Sequence, residues 1–249
     1  MSVELKENET IDDLQCNGLK IIQNNKFFKY GIDAVILSNF VKNKKKALDI
    51  VDFGTGTGII SILLTAKVNV NKIYSIEIQE KVAEMAKRSV ELNGLQNQIE
   101  ILNINLKEID KHLKANSIDI IVTNPPYQSN DSGVQNECEE KRISRHEIYC
   151  NFEDICEKAS FLLKDKGEIY IVHRPERLVD VICNLRKYKL EPKEIKYVQS
   201  NINKSPVLVL IKAVKNGGSF LKTLKPLIVY DENGDYTKEV KAIYGLEKE

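Results

Sequence analysis

The 249 residues are enough for one large α/β domain or two small ones with a substantial core, and an apolar content of 42% excludes both intrinsic disorder and a collagen-like repeat. The longest stretch without a charge, Phe53 to Ala66, is 14 residues with three glycines, too short and too broken to cross a bilayer, and the N-terminus carries acids where a signal peptide needs a basic start, so a cytoplasmic protein without membrane contact is expected. Five cysteines with no Cys-x-x-Cys pair suit neither a disulfide framework nor a zinc site; they read as reduced thiols, and no metal is expected.

In chain order, Tyr30 to Leu37 reads as a short amphipathic helix. Ala47 to Phe53 is the first strong strand and ends at glycines, and Gly58 to Lys67 is helical. Ile73 to Ile78 is a β-branched strand. Val82, Met85, Ala86 and Val90 then follow helical spacing up to a stop at Asn93-Gly94. Strands are predicted at Ile99 to Ile104, Ile118 to Val122, Glu168 to His173, Glu194 to Gln199 and Val207 to Val214, the last apolar enough to be central, with a helix over Asn151 to Lys164. This alternation predicts an α/β doubly wound fold: a mostly parallel central sheet with helices on both faces and ligands at the carboxyl ends of its strands. One continuous domain over 47–249 is expected, preceded by a segment over 1–46.

The run Val51-Asp52-Phe53-Gly54-Thr55-Gly56-Thr57-Gly58 closes the first strand and opens a helix. Its glycines let the backbone approach a ligand, and the helix offers free N–H groups, which implies a nucleotide-like ligand. A dinucleotide fingerprint needs glycine where Ile59 stands, so another cofactor is favoured. Glu77, 19 residues after Gly58, ends the next strand, where a carboxylate can accept both hydroxyls of a ribose. This arrangement resembles the Rossmann-like S-adenosylmethionine-dependent methyltransferases, whose first motif is an acid followed by Gly-x-Gly-x-Gly, here Asp52. The resemblance implies that Asp52, Gly54, Thr55, Gly56 and Gly58 hold the methionine portion, that Glu77 holds the ribose and that Ile78 packs on the adenine. The family's aspartate toward the adenine amino group has no counterpart; among Asn103, Asn105 and Leu106, Asn105 is the nearest match.

Ile118 to Val122 runs into Thr123-Asn124-Pro125-Pro126-Tyr127. Two prolines fix the backbone and hold Asn124 and the Pro125 carbonyl rigidly at a strand end, which suits a planar amino group that donates to both, with its base stacked on Tyr127. No metal or general base is needed beforehand. The tetrapeptide is similar to the fourth motif of methyltransferases acting on exocyclic or amide nitrogens, whether in adenine, cytosine or glutamine. More of the chain resembles the bacterial tRNA(Val) adenine-N6 methyltransferases, which modify the adenine just 3′ of the anticodon. The matching segments are Tyr30 to Leu37, the glycine loop, the tetrapeptide, Arg145-His146-Glu147, Val172 to Leu178 and Pro226 to Tyr230. That family folds the Tyr30 to Leu37 segment over the cofactor, so the resemblance implies lid contacts at Asp33 and Ala34. A glutamine-N5 enzyme of the release-factor type is the rival; such enzymes usually carry an added N-terminal helical domain.

Charge is uneven. Arg186 to Lys225 holds ten basic residues against two acids, a net of +8 in a chain whose total is +1. Such a segment fits a polyanion, and equally a set of solvated lysines on strand edges. Arg145, His146, Arg174, Lys212, Lys215, Lys222 and Lys225 are the candidate contacts to tRNA, His173 shares the strand end with Arg174, and a monomer is expected.

Overall fold

The computed structural model describes residues 3–26, 31–42, 47–126 and 151–246. Its strands are β1 (Glu9–Asp13), β2 (Lys20–Asn24), β3 (Leu48–Phe53), β4 (Val70–Ile76), β5 (Ile99–Leu102), β6 (Ile118–Thr123), β7 (Leu163–His173), β8 (Leu190–Gln199), β9 (Pro206–Lys215), β10 (Lys222–Thr223) and β11 (Leu227–Ile228). Its α-helices are α1 (Ile32–Phe40), α2 (Ile59–Lys67), α3 (Glu80–Leu92), α4 (Phe152–Leu162), α5 (Leu178–Lys187) and α6 (Lys238–Ile243). The main sheet runs β10-β8-β9-β7-β6-β3-β4-β5, with β11 also on β8. All its pairings are parallel except those of β9, which runs against both β7 and β8. The predicted mostly parallel sheet is present, and β9 lies inside it.

Period-two alternation divides the core into two layers. Ile50, Ile120, Val122, Tyr170, Val172, Leu208 and Leu210 face α1, α2 and α3. Val51, Phe53, Ile121, Ile169, Ile171, Val209 and Ile211 face the opposite way, toward α4 and α5. Helix α4 begins on a full capping box: Asn151 Oδ1 accepts from Asp154 N at 2.8 Å and Asp154 Oδ2 accepts from Asn151 N at 2.9 Å. Helix α3 ends at Leu92, and two residues on Gly94, with a φ of 67°, takes the left-handed conformation expected of a C-terminal stop.

Three expectations need correction. Two strands precede the first strong one: β1 and β2 form an antiparallel hairpin, hard to read in the sequence because Glu-Thr-Ile-Asp-Asp and Lys-Ile-Ile-Gln-Asn are short and lack apolar alternation. The hairpin is fixed from outside itself. Ile22 N donates to Ser89 Oγ on α3 at 3.0 Å, and Arg88 reaches both carboxylate oxygens of Glu9 at 2.7 and 2.6 Å, holding that carboxyl below its usual range. The second correction is α1, which is buried on nearly all sides rather than amphipathic, because α2, β7, β9 and α6 surround it. Leu14, Ile21 and Ala34 to Leu37 therefore share one core with Ile50, Ile62 and Tyr170. Third, the predicted helix over Asn151 to Lys164 stops at Leu162, and the strand predicted from Glu168 already starts at Leu163.

Candidate active site

Parallel register brings the motifs together. Leu102, Ile76, Phe53 and Thr123 stand on one row across β5, β4, β3 and β6. One residue further along each chain come Asn103, Glu77, Gly54 and Asn124. Adjacent strands lie about 4.8 Å apart, so an acid, a glycine loop and the tetrapeptide, set between Gly54 and Asn124 in sequence, leave the sheet side by side. Thr123 Oγ1 fastens the last two by donating to the Phe53 carbonyl at 3.1 Å.

Asp52, the last residue but one of β3, is fully buried. Its Oδ2 accepts from Thr55 Oγ1 at 2.6 Å and from Ser61 Oγ at 2.8 Å, and Ser61 is itself 2.7 Å from Ser75 Oγ. Burial pushes its carboxyl up to about 6. Its other oxygen, Oδ1, is buried with no hydrogen-bond partner among the described residues. A buried acceptor left that way costs free energy that a ligand's N–H or ammonium would recover. Thr55 contributes inward, its hydroxyl to Asp52 and its N–H to the Ile76 carbonyl at 2.9 Å, so its polar groups hold the loop. At Gly54 and Gly56 φ is 70° and 58°, and a Cβ at either would meet nothing within 4 Å. The loop thus needs glycine for its left-handed turns and leaves open space above them.

Glu77 follows β4 directly and is 3% exposed. Its Oε2 accepts from Gly56 N at 3.1 Å and its Oε1 from Gln79 N at 2.8 Å. Both oxygens keep lone pairs for a diol. Asn103 Nδ2 donates to the Glu77 and Ile78 carbonyls at 2.8 and 3.1 Å, fixing the backbone between them. Asn105 sits three residues beyond Leu102 of the common row, and its side chain caps a 3-10 helix over Leu106–Lys111 by accepting from Lys107 N at 3.0 Å. Of the two amides, it is Asn103 that adjoins Glu77 and Ile78.

Asn124 is half-buried, Pro125 buried and Pro126 exposed. The Asn124 amide nitrogen donates to Asp33 Oδ2 at 3.2 Å, which brings the N-terminal helix to the tetrapeptide. Ala34, next to it, is buried. Tyr127, Arg145 and His146 lie outside the described residues. At the neighbouring strand end His173 packs edge-on against Phe152, accepts from Arg174 N at Nδ1 (2.8 Å), and is pushed down to about 4 by burial, so it is a neutral packing group at pH 7. Arg174 reaches the Val207 carbonyl at 3.2 Å.

Among the candidate RNA lysines, Lys212 and Lys222 flank Glu194 on one row of the sheet, and Lys215 stands apart from them. Lys212 pairs with Glu168 at 2.7 Å and lies 5.5 Å over the Tyr170 ring. Lys215 donates to Asn116 Oδ1 and the Leu163 carbonyl, each at 2.8 Å. Because β9 is antiparallel, Lys215 stands at the start of β8, the edge of the sheet opposite Asn124. Lys222 and Lys225 are exposed on the outer margin beside β8. Among the described residues no group of three or more His, Cys, Asp or Glu could hold a metal, and no helix is long and apolar enough to cross a membrane.

The sequence reading assigned no role to Ser61, Ser75 or Thr123, and it placed Asn105 ahead of Asn103. Ser61 was detectable: it is the one polar residue in Ile-Ile-Ser-Ile-Leu-Leu, a run otherwise committed to the core.

Comparison with known proteins identifies the family and the fold. The family model described as methyltransferase small domain matches residues 27–182. The tRNA1(Val) (adenine(37)-N6)-methyltransferase of Pedobacter heparinus is 25% identical over 71% of this chain and 73% of its own length. That of Haemophilus influenzae strain PittEE is 23% identical over 88% and 90%. Among solved structures, a predicted O-methyltransferase from Agrobacterium tumefaciens superposes with a TM-score of 0.70 at 21% identity, covering 86% of this chain and 95% of that one. M. jannaschii TYW2 in complex with AdoMet superposes with a TM-score of 0.56 at 14% identity, covering 85% and 87%. These last two establish the Rossmann-like methyltransferase fold.

Proposed function

As the chain belongs to the methyltransferase small domain family and is an S-adenosylmethionine-dependent methyltransferase, we propose that it methylates N6 of adenosine 37, just 3′ of the anticodon, in tRNA(Val). The observation that carries this reading is the shared row that sets Asn124 beside Gly54 and Glu77. The names of the relatives favour adenine in tRNA over a glutamine side chain.

In this reading the bound cofactor supplies an electrophilic methyl group on a sulfonium. Asp52 Oδ1 would take the amino group of the methionine portion, Glu77 the ribose and Ile78 the adenine face, and Asn103, which adjoins Glu77 and Ile78, would serve the adenine edge in place of Asn105. Asn124 Oδ1 and the Pro125 carbonyl accept the two hydrogens of the target amino group, drawing its lone pair out of conjugation, while Tyr127 stacks on the base. The buried ends of β3 and β6 keep water from behind the reacting groups. Incubation of the protein with labelled S-adenosylmethionine and unmodified tRNA(Val), followed by digestion, should give N6-methyladenosine at position 37. Label transferred instead to a release-factor glutamine would replace this reading with its rival.

Two expected results test the cofactor assignments. Glu77→Gln removes the charge and deprives either Gly56 N or Gln79 N of its acceptor, so cofactor binding should weaken by roughly 1.5 to 3 kcal/mol. Unchanged calorimetric affinity would mean that the ribose is held elsewhere. For Asp52, a proton and the cofactor ammonium compete for one carboxyl, whose raised value is about 6. Affinity should therefore rise with pH up to about 6, level off above it, and be roughly tenfold weaker one unit below. In Asp52→Asn the profile should be flat; a sloping profile there would assign the titration to another group. The same raised value means that folding stability falls as pH rises from the ordinary carboxylate range to about 6, where the buried carboxyl must ionise.

A further inference from the structure

We propose that Asp33 is a positioning residue for the methyl transfer, fixing which edge of the Asn124 amide faces the substrate. The inference rests on the reading of Asn124 as the group that receives the target amino hydrogens. A primary amide has two edges of nearly equal shape and opposite polarity: the oxygen accepts, and the nitrogen donates. Only the oxygen can take a hydrogen from the target. Presented the other way round, the same side chain would confront the target N–H with its own N–H, and the lone pair would stay in conjugation.

The structure supplies the discriminating contact. Asn124 Nδ2 lies 3.2 Å from Asp33 Oδ2, and an ionised carboxylate can only accept. The nitrogen must therefore turn toward α1, and the edge turned away from Asp33 carries the oxygen. Asp33 is itself held: it is 9% exposed, and its other oxygen, Oδ1, accepts from Ala34 N at 3.0 Å. Gly31 is part of the same device. A Cβ there would stand 2.7 Å from Asp33 Oδ1, so the glycine leaves the carboxylate the room it occupies. Helix α1 thus reaches across to the tetrapeptide and acts on catalysis through Asn124, a role distinct from the cofactor lid that its family resemblance suggests.

The test combines turnover and binding in a double-mutant cycle. With saturating cofactor, Asp33→Ala should lower kcat on unmodified tRNA on the order of tenfold or more, while its calorimetric affinity for S-adenosylmethionine stays within about twofold of the parent. Asp33→Asn, which retains an oxygen able to accept from Asn124, should recover part of the loss. Gly31→Ala, which pushes the carboxylate aside without altering its chemistry, should lower kcat in the same direction and covers the case in which Asp33→Ala does not fold. In an Asn124→Ala background, Asp33→Ala should cost nothing more, because it acts only through that amide. Normal kcat in both Asp33→Ala and Gly31→Ala, or a loss confined to cofactor affinity, would overturn the proposal while leaving Asn124 in place. High activity in Asn124→Ala itself would instead overturn the reading beneath it.

Discussion

Replacing Asn124 with alanine should remove a hundredfold or more of the methyl-transfer rate while leaving S-adenosylmethionine affinity nearly unchanged. The magnitude is that of one preorganised hydrogen-bonding group aimed at charge that develops in the transition state. The split follows from where the residue stands. Asn124 leaves β6, whereas the glycine loop and Glu77 leave β3 and β4 and draw their hydrogen bonds from one another. A contact made mainly in the transition state lowers turnover and spares ground-state binding. Single-turnover rates with unmodified tRNA, set beside calorimetry of the cofactor, would measure both halves. Near-normal turnover would sink the amide mechanism. A parallel loss of cofactor affinity would place Asn124 in the cofactor site instead.

The parts of this site legible in the sequence are those in which a motif is continuous. Gly54 to Gly58 is readable because left-handed turns demand glycine, and the tetrapeptide because two prolines remove the alternatives. Glu77 is readable by its interval from the loop. What stayed hidden is made of contacts between distant segments. Nothing in Tyr-Gly-Ile-Asp-Ala-Val says that Asp33 meets a residue 91 positions on, since that depends on α1 being enclosed by α2, β7, β9 and α6. Asn105 and Asn103 are chemically identical in sequence. Only the register of β5 against β4 shows that Asn103 adjoins Glu77, while the start of a 3-10 helix occupies Asn105.

The charged segment illustrates the same limit, and it shapes the second large expectation. Composition gives +8 over Arg186 to Lys225, yet six of its ten basic residues already meet an acid or a backbone carbonyl of the same chain. Arg186 pairs with Glu191, Lys187 with Glu153, Lys196 with Glu239 and Lys212 with Glu168, whereas Lys193 and Lys215 hold backbone carbonyls. Lys204, Lys222 and Lys225 remain exposed, as does Lys189, which precedes the start of β8 and so lies at the far end of the sheet from Asn124.

If tRNA is the substrate, its binding should weaken by orders of magnitude between about 50 and 200 mM salt, because every phosphate contact releases counterions. The lysines that carry the effect should be the exposed ones. Replacing Lys204, Lys222 and Lys225 with alanine should flatten the log–log salt slope by about two to three units and leave cofactor affinity alone. Lys212→Ala and Lys215→Ala should instead lower thermal stability with little change in slope, since each side chain is already committed to Glu168 or to carbonyls at the far edge of the sheet. Filter-binding titrations at four or five salt concentrations would separate these cases. A triple variant with the parent slope would move the phosphate contacts to another face. Binding indifferent to salt in the parent itself would remove tRNA as the substrate and return the glutamine side chain, which needs no basic surface, to first place.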